Sequence, residues 1–332
     1  MHNYMNQLAA SFAVIAGGFI FSNSSFAAGS TIQDAEQLRN KIIYQETQQQ
    51  GLQNTAYKSI ILPVSRGFDQ QETCLCWSYA FFNALETLYL VQHPSTTLEF
   101  SRGAMQYFNL QDRIDLKIAG EEDHLDPKKY KKCWAEGGTP LSANYILKDQ
   151  GALPFKEYHE VISPPKYTDM YYSIFAEGTT PEQQKASADS LLPVYFGYTP
   201  ATTTYFNGYE MSRVHFAQEV MPKGTWVNYA ISKDGSEYIG NSLDPDARRG
   251  EQTHFIPRAA FIKKINQSLE KSRPILYSND HHVILIYGAD YNKNNKIISF
   301  YIKDSYERLG YYYKAEFNKA LTELLEMAVL ED

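Results

Sequence analysis

The sequence predicts an α+β fold, with a helical first half and a β-rich second half. Two observations carry that assignment. From Cys76 onward apolar residues recur at Trp77, Ala80, Phe81, Ala84, Leu85 and Leu88, the spacing of one stripe along an α-helix. Beyond Gly224 this period gives way to short apolar or alternating runs bounded by turn residues, which is how strands read. The chain of 332 residues, 43% hydrophobic and 21% charged, is long and apolar enough to bury one or two cores. Thirty-one basic against 38 acidic side chains leave a net charge of −7, so the balance suits neither nucleic acid nor an anionic membrane surface.

In chain order, residues 8–21 form an apolar run without a charge, shorter than the roughly 20 residues a bilayer span needs. Ser25 and Ala27 supply small residues at a cleavage site, so residues 1–28 read as a signal peptide and the mature chain as secreted or periplasmic, free of the membrane once cut. The first seven residues lack Lys and Arg, which leaves a retained anchor as the alternative. Residues 29–58 are an N-terminal extension, polar and Gln-rich, with Ile32, Leu38, Ile42 and Ile43 marking a weak helix. Both a short pro-segment and a permanently packed helix fit it. Residues 59–64 read as a strand, residues 66–73 as a polar loop, and Thr73 as the N-cap of the helix that contains Cys76. Further helices are expected at 98–116 and 141–149, the latter ended by Gly151 and Pro154. Residues 155–250, rich in Pro, Thr, Gly and Tyr, read as a loop-rich insertion. Strands follow at 226–231, 274–277, 283–287, 297–302 and 310–313, with one helix at 259–271, and together predict an antiparallel second half.

The chemistry concentrates at a few positions. A thiol in the first turn of a buried helix sits where the macrodipole and free N–H groups favour an anion, so Cys76 is expected to be a thiolate near neutral pH. Gln70, six residues earlier, can donate its side-chain amide to an oxyanion. Far downstream, His281-His282-Val283 sets a histidine at the mouth of a buried strand, and Asp304 ends the next. Antiparallel neighbours bring such strand ends together. Three cysteines in an oxidising compartment imply one bridge and one free thiol. Cys74-x-Cys76 lacks the further ligands of a zinc site, and the acidic run Glu121-Glu122-Asp123 reads as a solvated loop, so no metal is expected.

Four segments in order resemble the papain-like cysteine peptidases. Gln70-x5-Cys76-Trp77-Ser78-Tyr79-Ala80 resembles that family's Q-x5-C-W helix start, and Cys133-x3-Gly137-Gly138-x-Pro140-x-x-Ala143 its C-x-G-G-x-P segment. His282, followed by an apolar run to Gly288, is similar to its H-A-V-x-x-V-G strand, and Lys303-Asp304-Ser305-Tyr306 to its K-N-S-W. The spacing to Gly288 selects His282 over His281. The resemblance implies a papain-like fold, with a helical left subdomain, an antiparallel β-barrel-like right subdomain and the active-site cleft between them. It implies Cys76 as nucleophile, His282 as paired base and later acid, Asp304 as its orienting group, and Gln70 with the Cys76 N–H around the oxyanion. It further implies that Gly137 and Gly138 hold a polypeptide substrate's main chain and that Pro140 and Val283 line the main specificity pocket, suited to an apolar or aromatic side chain. It pairs Cys74 with Cys133, leaving Cys76 free, and calls for no cofactor.

The chain departs from the pattern in four places. Asp304 replaces Asn, which holds an imidazolium more strongly and moves the pH optimum upward. Tyr306 replaces the shielding Trp. The cysteine spacings differ by one and two residues, and Cys76 and His282 stand 206 residues apart, against the family's roughly 130–150, an excess that falls in residues 155–250. The segment from Phe255 to Tyr277 is more similar to the bleomycin hydrolase branch. The same Cys-His-Asp set also suits transglutaminase-like acyl transfer or deamidation, and an inactive papain-fold peptide-binding protein is the non-enzymatic alternative.

Overall fold

The structure is a computed structural model that describes residues 56–71, 73–121, 137–157, 164–242, 250–279, 282–306, 311–317 and 326–332. The signal peptide and nearly all of the N-terminal extension therefore lie outside the described residues. Strand β1 (Lys58–Ile61) leads through an extended loop into helix α1 (Cys76–Gln92). Helix α1 is apolar almost all round, and every residue from Trp77 to Leu90 is buried, as expected of a helix running through a core instead of over its surface. Its N-cap is Leu75, with no side-chain capping bond. Thr73, the expected N-cap, instead turns its hydroxyl onto the Gln70 carbonyl at 2.6 Å, so the loop closes on itself three residues before the helix begins.

Helix α2 (Arg102–Ile118) is capped by the Ser101 hydroxyl on the Ala104 N–H. It starts four residues later than the periodicity suggests because Phe100 bridges to Pro154. Helix α3 (Ser142–Gln150) ends at Gly151, whose φ of 81° only glycine adopts without strain. The region read as a loop-rich insertion is largely regular. It holds α4 (Pro164–Ile174), α5 (Pro181–Phe196), a hairpin of β2 (Thr203–Phe206) and β3 (Tyr209–Ser212), and α6 (Arg213–Val220). The proline and threonine taken as loop formers start helices here: Pro181 opens α5 behind Thr180, which forms a capping box with Gln183.

The second half is a nine-stranded sheet, completed by β4 (Thr225–Ile231), β5 (Tyr238–Asn241), β6 (Gln252–Ile256), β7 (Ile275–Asn279), β8 (His282–Tyr291), β9 (Ile297–Lys303), β10 (Tyr312–Glu316) and β11 (Glu326–Glu331). The strand order is β10-β9-β8-β7-β11-β4-β6-β5, with β1 on β8 beyond β7. It is mixed and not purely antiparallel, since β4 and β6 run parallel, and among the described residues no pairing closes it into a barrel. The parallel pair arises because β4 and β6 are joined by a crossover that contains β5. Helix α7 (Arg258–Glu270) covers one face with Phe261, Ile265 and Leu269, and α1 packs against β8. One buried cluster thus joins both halves, with Phe81 of α1 against Trp226 of β4 at 5.3 Å between ring centroids. Each such large side chain contributes about 1.5–3 kcal/mol on burial, which anchors the start of α1 against the strand ends. No described helix is long and apolar enough to cross a membrane.

Candidate active site

Cys76 is the first residue of α1, half-buried, and the free cysteine among the described residues. The opening N–H groups of a helix have no intrahelical acceptor, and no side chain caps them from Leu75. The next residue, Trp77, is fully buried beneath Gly138, where a Cβ would come within 2.7 Å of the indole ring. Only a glycine lets the backbone lie this close, so the Gly137–Gly138 segment is seated beside the thiol.

His282 is the first residue of β8, and Asp304 directly follows β9. The register that pairs Leu285 with Lys303 sets the two side chains together across the strand ends. His282 Nε2 and Asp304 Oδ1 are 2.8 Å apart. Asp304 is 2% exposed, and its Oδ1 also accepts from the Ser305 N–H at 2.6 Å and the Tyr306 N–H at 3.3 Å. Its Oδ2 takes the Tyr313 hydroxyl at 3.3 Å. With Nε2 engaged, the ring's other nitrogen remains for Cys76, and the two side chains are hydrogen-bonded. Burial disfavours a charged His282, but the hydrogen bonds to Asp304 and Cys76 and the charges of both outweigh it, lifting the imidazole from 6.5 to about 10.

Gln70 is wholly buried beside this relay. Its Nε2 donates to the Thr73 carbonyl at 2.6 Å and to the Tyr306 hydroxyl at 3.2 Å, while its Oε1 accepts from the Ser305 hydroxyl. An oxyanion would therefore have to draw the amide away from its longer bond, the one to Tyr306. The Tyr306 ring stacks on His282 with centroids 4.9 Å apart and planes 25° from parallel. Where a tryptophan would only cover the histidine, this tyrosine also ties it to Gln70.

A second polar layer supports the first. Lys303, fully buried, donates to the Ser65 carbonyl at 2.9 Å and its hydroxyl at 2.7 Å. Ser65 in turn donates to Glu86 on α1, and Glu86 pairs with Arg102 at 2.6 Å, both buried. Burial presses the Lys303 ammonium down to about 7, against the favourable charge of Glu86. This chain of contacts runs from the strand that carries Asp304 to the helix that carries Cys76.

Gly137 has its carbonyl bound by Arg113 at 2.5 Å, so that carbonyl is already engaged. Pro140 is buried, and Val283 is 4% exposed at the start of β8. Cys133 and His281 lie outside the described residues. Ser305 and Tyr313 escaped the sequence reading. Their signal was the alternation of residues after Lys303 and along β10, which sets them around the carboxylate. Among the described residues no three His, Cys, Asp or Glu side chains converge as metal ligands.

No protein-family profile and no curated protein matches the chain. Among solved structures, the chain is similar to PepW from Lactobacillus rhamnosis HN001, with 12% identity over 92% of this chain and 93% of that one and a TM-score of 0.60. It is also similar to the bromelain protease of Ananas comosus, at 12% identity over 82% of this chain and 99% of the other with a TM-score of 0.38. Procathepsin L 3 of Tenebrio molitor aligns at 14% identity over 84% and 72% of the two chains, with a TM-score of 0.33. The likeness to PepW, a papain-like cysteine protease, shows that the chain has a papain-like α+β fold.

Proposed function

We propose that this chain is an exported cysteine peptidase that hydrolyses peptide bonds through Cys76, His282 and Asp304. The observation that carries the reading is the continuous relay from Asp304 through the His282 ring to Cys76 at a helix start. In this mechanism the Cys76 thiolate attacks the scissile carbonyl, and the resulting oxyanion is met by the Cys76 N–H and the Gln70 amide. Protonated His282 gives its proton to the leaving amine as the C–N bond breaks, leaving a thioester on Cys76 and neutral imidazole. A water then loses a proton to His282 and attacks the thioester, which releases the acid and restores the ion pair. Asp304 holds the ring in place and favours its charged form throughout.

The reading also pairs Cys74 with Cys133, which is consistent with Cys76 being the free thiol. It assigns residues 1–28 to export, residues 29–58 to an extension that is either inhibitory or structural, and a polypeptide as the partner. The reading also keeps a resemblance of the segment from Phe255 to Tyr277 to the bleomycin hydrolase branch. Asp304, a carboxylate where an amide is the family rule, gives one reason to consider acyl transfer by the same residues. An added amine that diverts product from acid to amide distinguishes it.

The test is the rate of iodoacetamide labelling of Cys76 on residues 29–332 between about pH 4 and 9, mapped by mass spectrometry. Fast labelling that persists below about pH 6 and disappears in His282→Ala is expected of the ion pair. A rate that rises only near the ordinary thiol value of about 8.5 overturns the reading and points to an inactive binding protein.

A further inference from the structure

The main chain beside the nucleophile is held in place from two directions. Gly138 rests on the ring of Trp77, the residue after Cys76, and a Cβ there would come within 2.7 Å of the indole. A residue without a side chain at such a place presents only its backbone, as glycine does where a ligand must approach closely. Gly137 and Gly138 are both half-buried. Thr139, which follows, is wholly buried and donates its N–H to the hydroxyl of Ser142, the first residue of α3, at 2.8 Å.

Arg113 comes from the other direction. It lies on α2, 5% exposed, and its Nη2 donates to the Gly137 carbonyl at 2.5 Å. Its Nε donates to Asn109 Oδ1, one turn earlier on the same helix, at 3.4 Å. A structural contact alone needs no charge here: Leu110 and Ile114, beside it on α2, are buried with apolar side chains, and burying a guanidinium costs desolvation that they avoid. Hydrogen bonds from a charged donor are roughly twice as strong as neutral ones. The Gly137 carbonyl and the Gly138 N–H are the two ends of one peptide unit. No peptide bond among the described residues is cis, so this N–H points opposite to its carbonyl and away from α2. Electron density that the guanidinium draws onto the oxygen is withdrawn from the nitrogen through the conjugated amide, which makes the N–H a stronger donor.

We propose that Arg113 is a positioning residue for the substrate: by binding the Gly137 carbonyl it aims and polarises the Gly138 N–H, which meets a main-chain carbonyl of the bound peptide. The inference rests on the peptidase reading for what occupies the groove. Arg113 acts through the backbone and does not itself touch the peptide.

The test uses the full chain with Cys76→Ala, which binds without turnover, and a capped heptapeptide of alanine with phenylalanine at its third position, titrated calorimetrically. In a set of analogues one carbonyl oxygen, at each position in turn, is replaced by sulfur, a weaker acceptor that leaves the N–H in place. At one position sulfur is expected to weaken binding at least fivefold. Arg113→Met is expected to weaken binding of the all-oxygen peptide and to bring that sulfur penalty within twofold, and Arg113→Lys, which keeps the charge, to restore part of both. A role in folding alone lowers affinity for every analogue alike, so a penalty unchanged in Arg113→Met overturns the proposal, as does a penalty at no position or no binding at all. If Arg113→Met does not fold, Asn109→Ala decides: removing the acceptor of Arg113 Nε is expected to at least halve the penalty, and an unchanged penalty overturns the proposal. Hydrolysis of the all-oxygen peptide by the chain with Cys76 intact reports separately on the peptidase reading, and there Arg113→Met is expected to raise KM more than it lowers kcat. A penalty that depends on Arg113 without hydrolysis sinks the peptidase reading and leaves the role of Arg113 standing; hydrolysis without that dependence does the reverse.

Discussion

Asp304 carries three hydrogen bonds on one oxygen and a fourth on the other, so its position is over-determined and its charge is aimed at His282. The consequence is an imidazole that stays protonated up to about pH 10. Asp304→Asn keeps the shape and removes the charge, and since that charge raises the His282 value, its loss lowers it. The alkaline limb of kcat/KM is therefore expected to move down from near pH 10 by at least one pH unit, read from a pH–rate profile. Tyr306 acts on the same ring through its stack and on Gln70 through its hydroxyl. Tyr306→Phe keeps the stack and frees the Gln70 amide. If Gln70 serves the oxyanion, kcat is expected to change while the alkaline limb stays in place, and a shift of that limb instead would show that the hydroxyl acts on His282.

At the scale of elements, two contacts of helix α1 with its surroundings are open to test by substitution. Gly138 lies flat on Trp77, and a methyl group there must displace the indole or the backbone. Gly138→Ala is expected to cost about 1–3 kcal/mol, measured by urea unfolding, and to raise KM for peptides more than it lowers kcat. The other contact is the buried pair of Glu86 on α1 and Arg102 on α2. Glu86→Gln leaves the guanidinium buried without its counter-charge and is expected to cost about 3–5 kcal/mol. Because Glu86 also receives Ser65, the partner of Lys303, the same change is expected to loosen the strand end that holds Asp304, visible as faster hydrogen exchange at Ser305.

Across the whole molecule, His282 and Lys303 pull the pH dependence of stability in opposite directions. His282 has a folded value of about 10 against 6.5 unfolded. Its contribution is complete below 6.5 and is lost as pH rises through 10. Lys303 has a folded value of about 7 against 10.5. Its contribution is present above 10.5 and is lost as pH falls through 7. Between pH 7 and 10 the folded state gains one proton and lacks another relative to the unfolded chain, so these two slopes, each about 1.4 kcal/mol per pH unit at most, cancel. Lys303→Met is expected to expose the His282 slope, with unfolding free energy falling from pH 7 to 10. Asp304→Asn is expected to do the reverse. Urea midpoints across that range check both.

The sequence by itself determined the α+β class, the helix that begins at Cys76, the strand that begins at His282 and the carboxylate after the next strand. All of these are local signals: an apolar period, a run of strand formers, a polar residue at an element's end. It also showed residues 137–138 as paired glycines. Only the tertiary structure decided what depends on contacts distant in the chain. Thr73 reads as an N-cap until its hydroxyl is seen on Gln70. Residues 164–220 read as loops because proline and threonine mark helix starts as well as turns, and packing against α2 and α3 selects the helix. The parallel pairing of β4 with β6 is invisible to strand periodicity, which has no direction. The bond from Arg113 to Gly137 joins residues 24 positions apart, and a single sequence holds no signal that links them. Burial lowers the proton affinity of Lys303, and contacts with Asp304 and Cys76 raise that of His282, whereas both groups in water would keep their ordinary values.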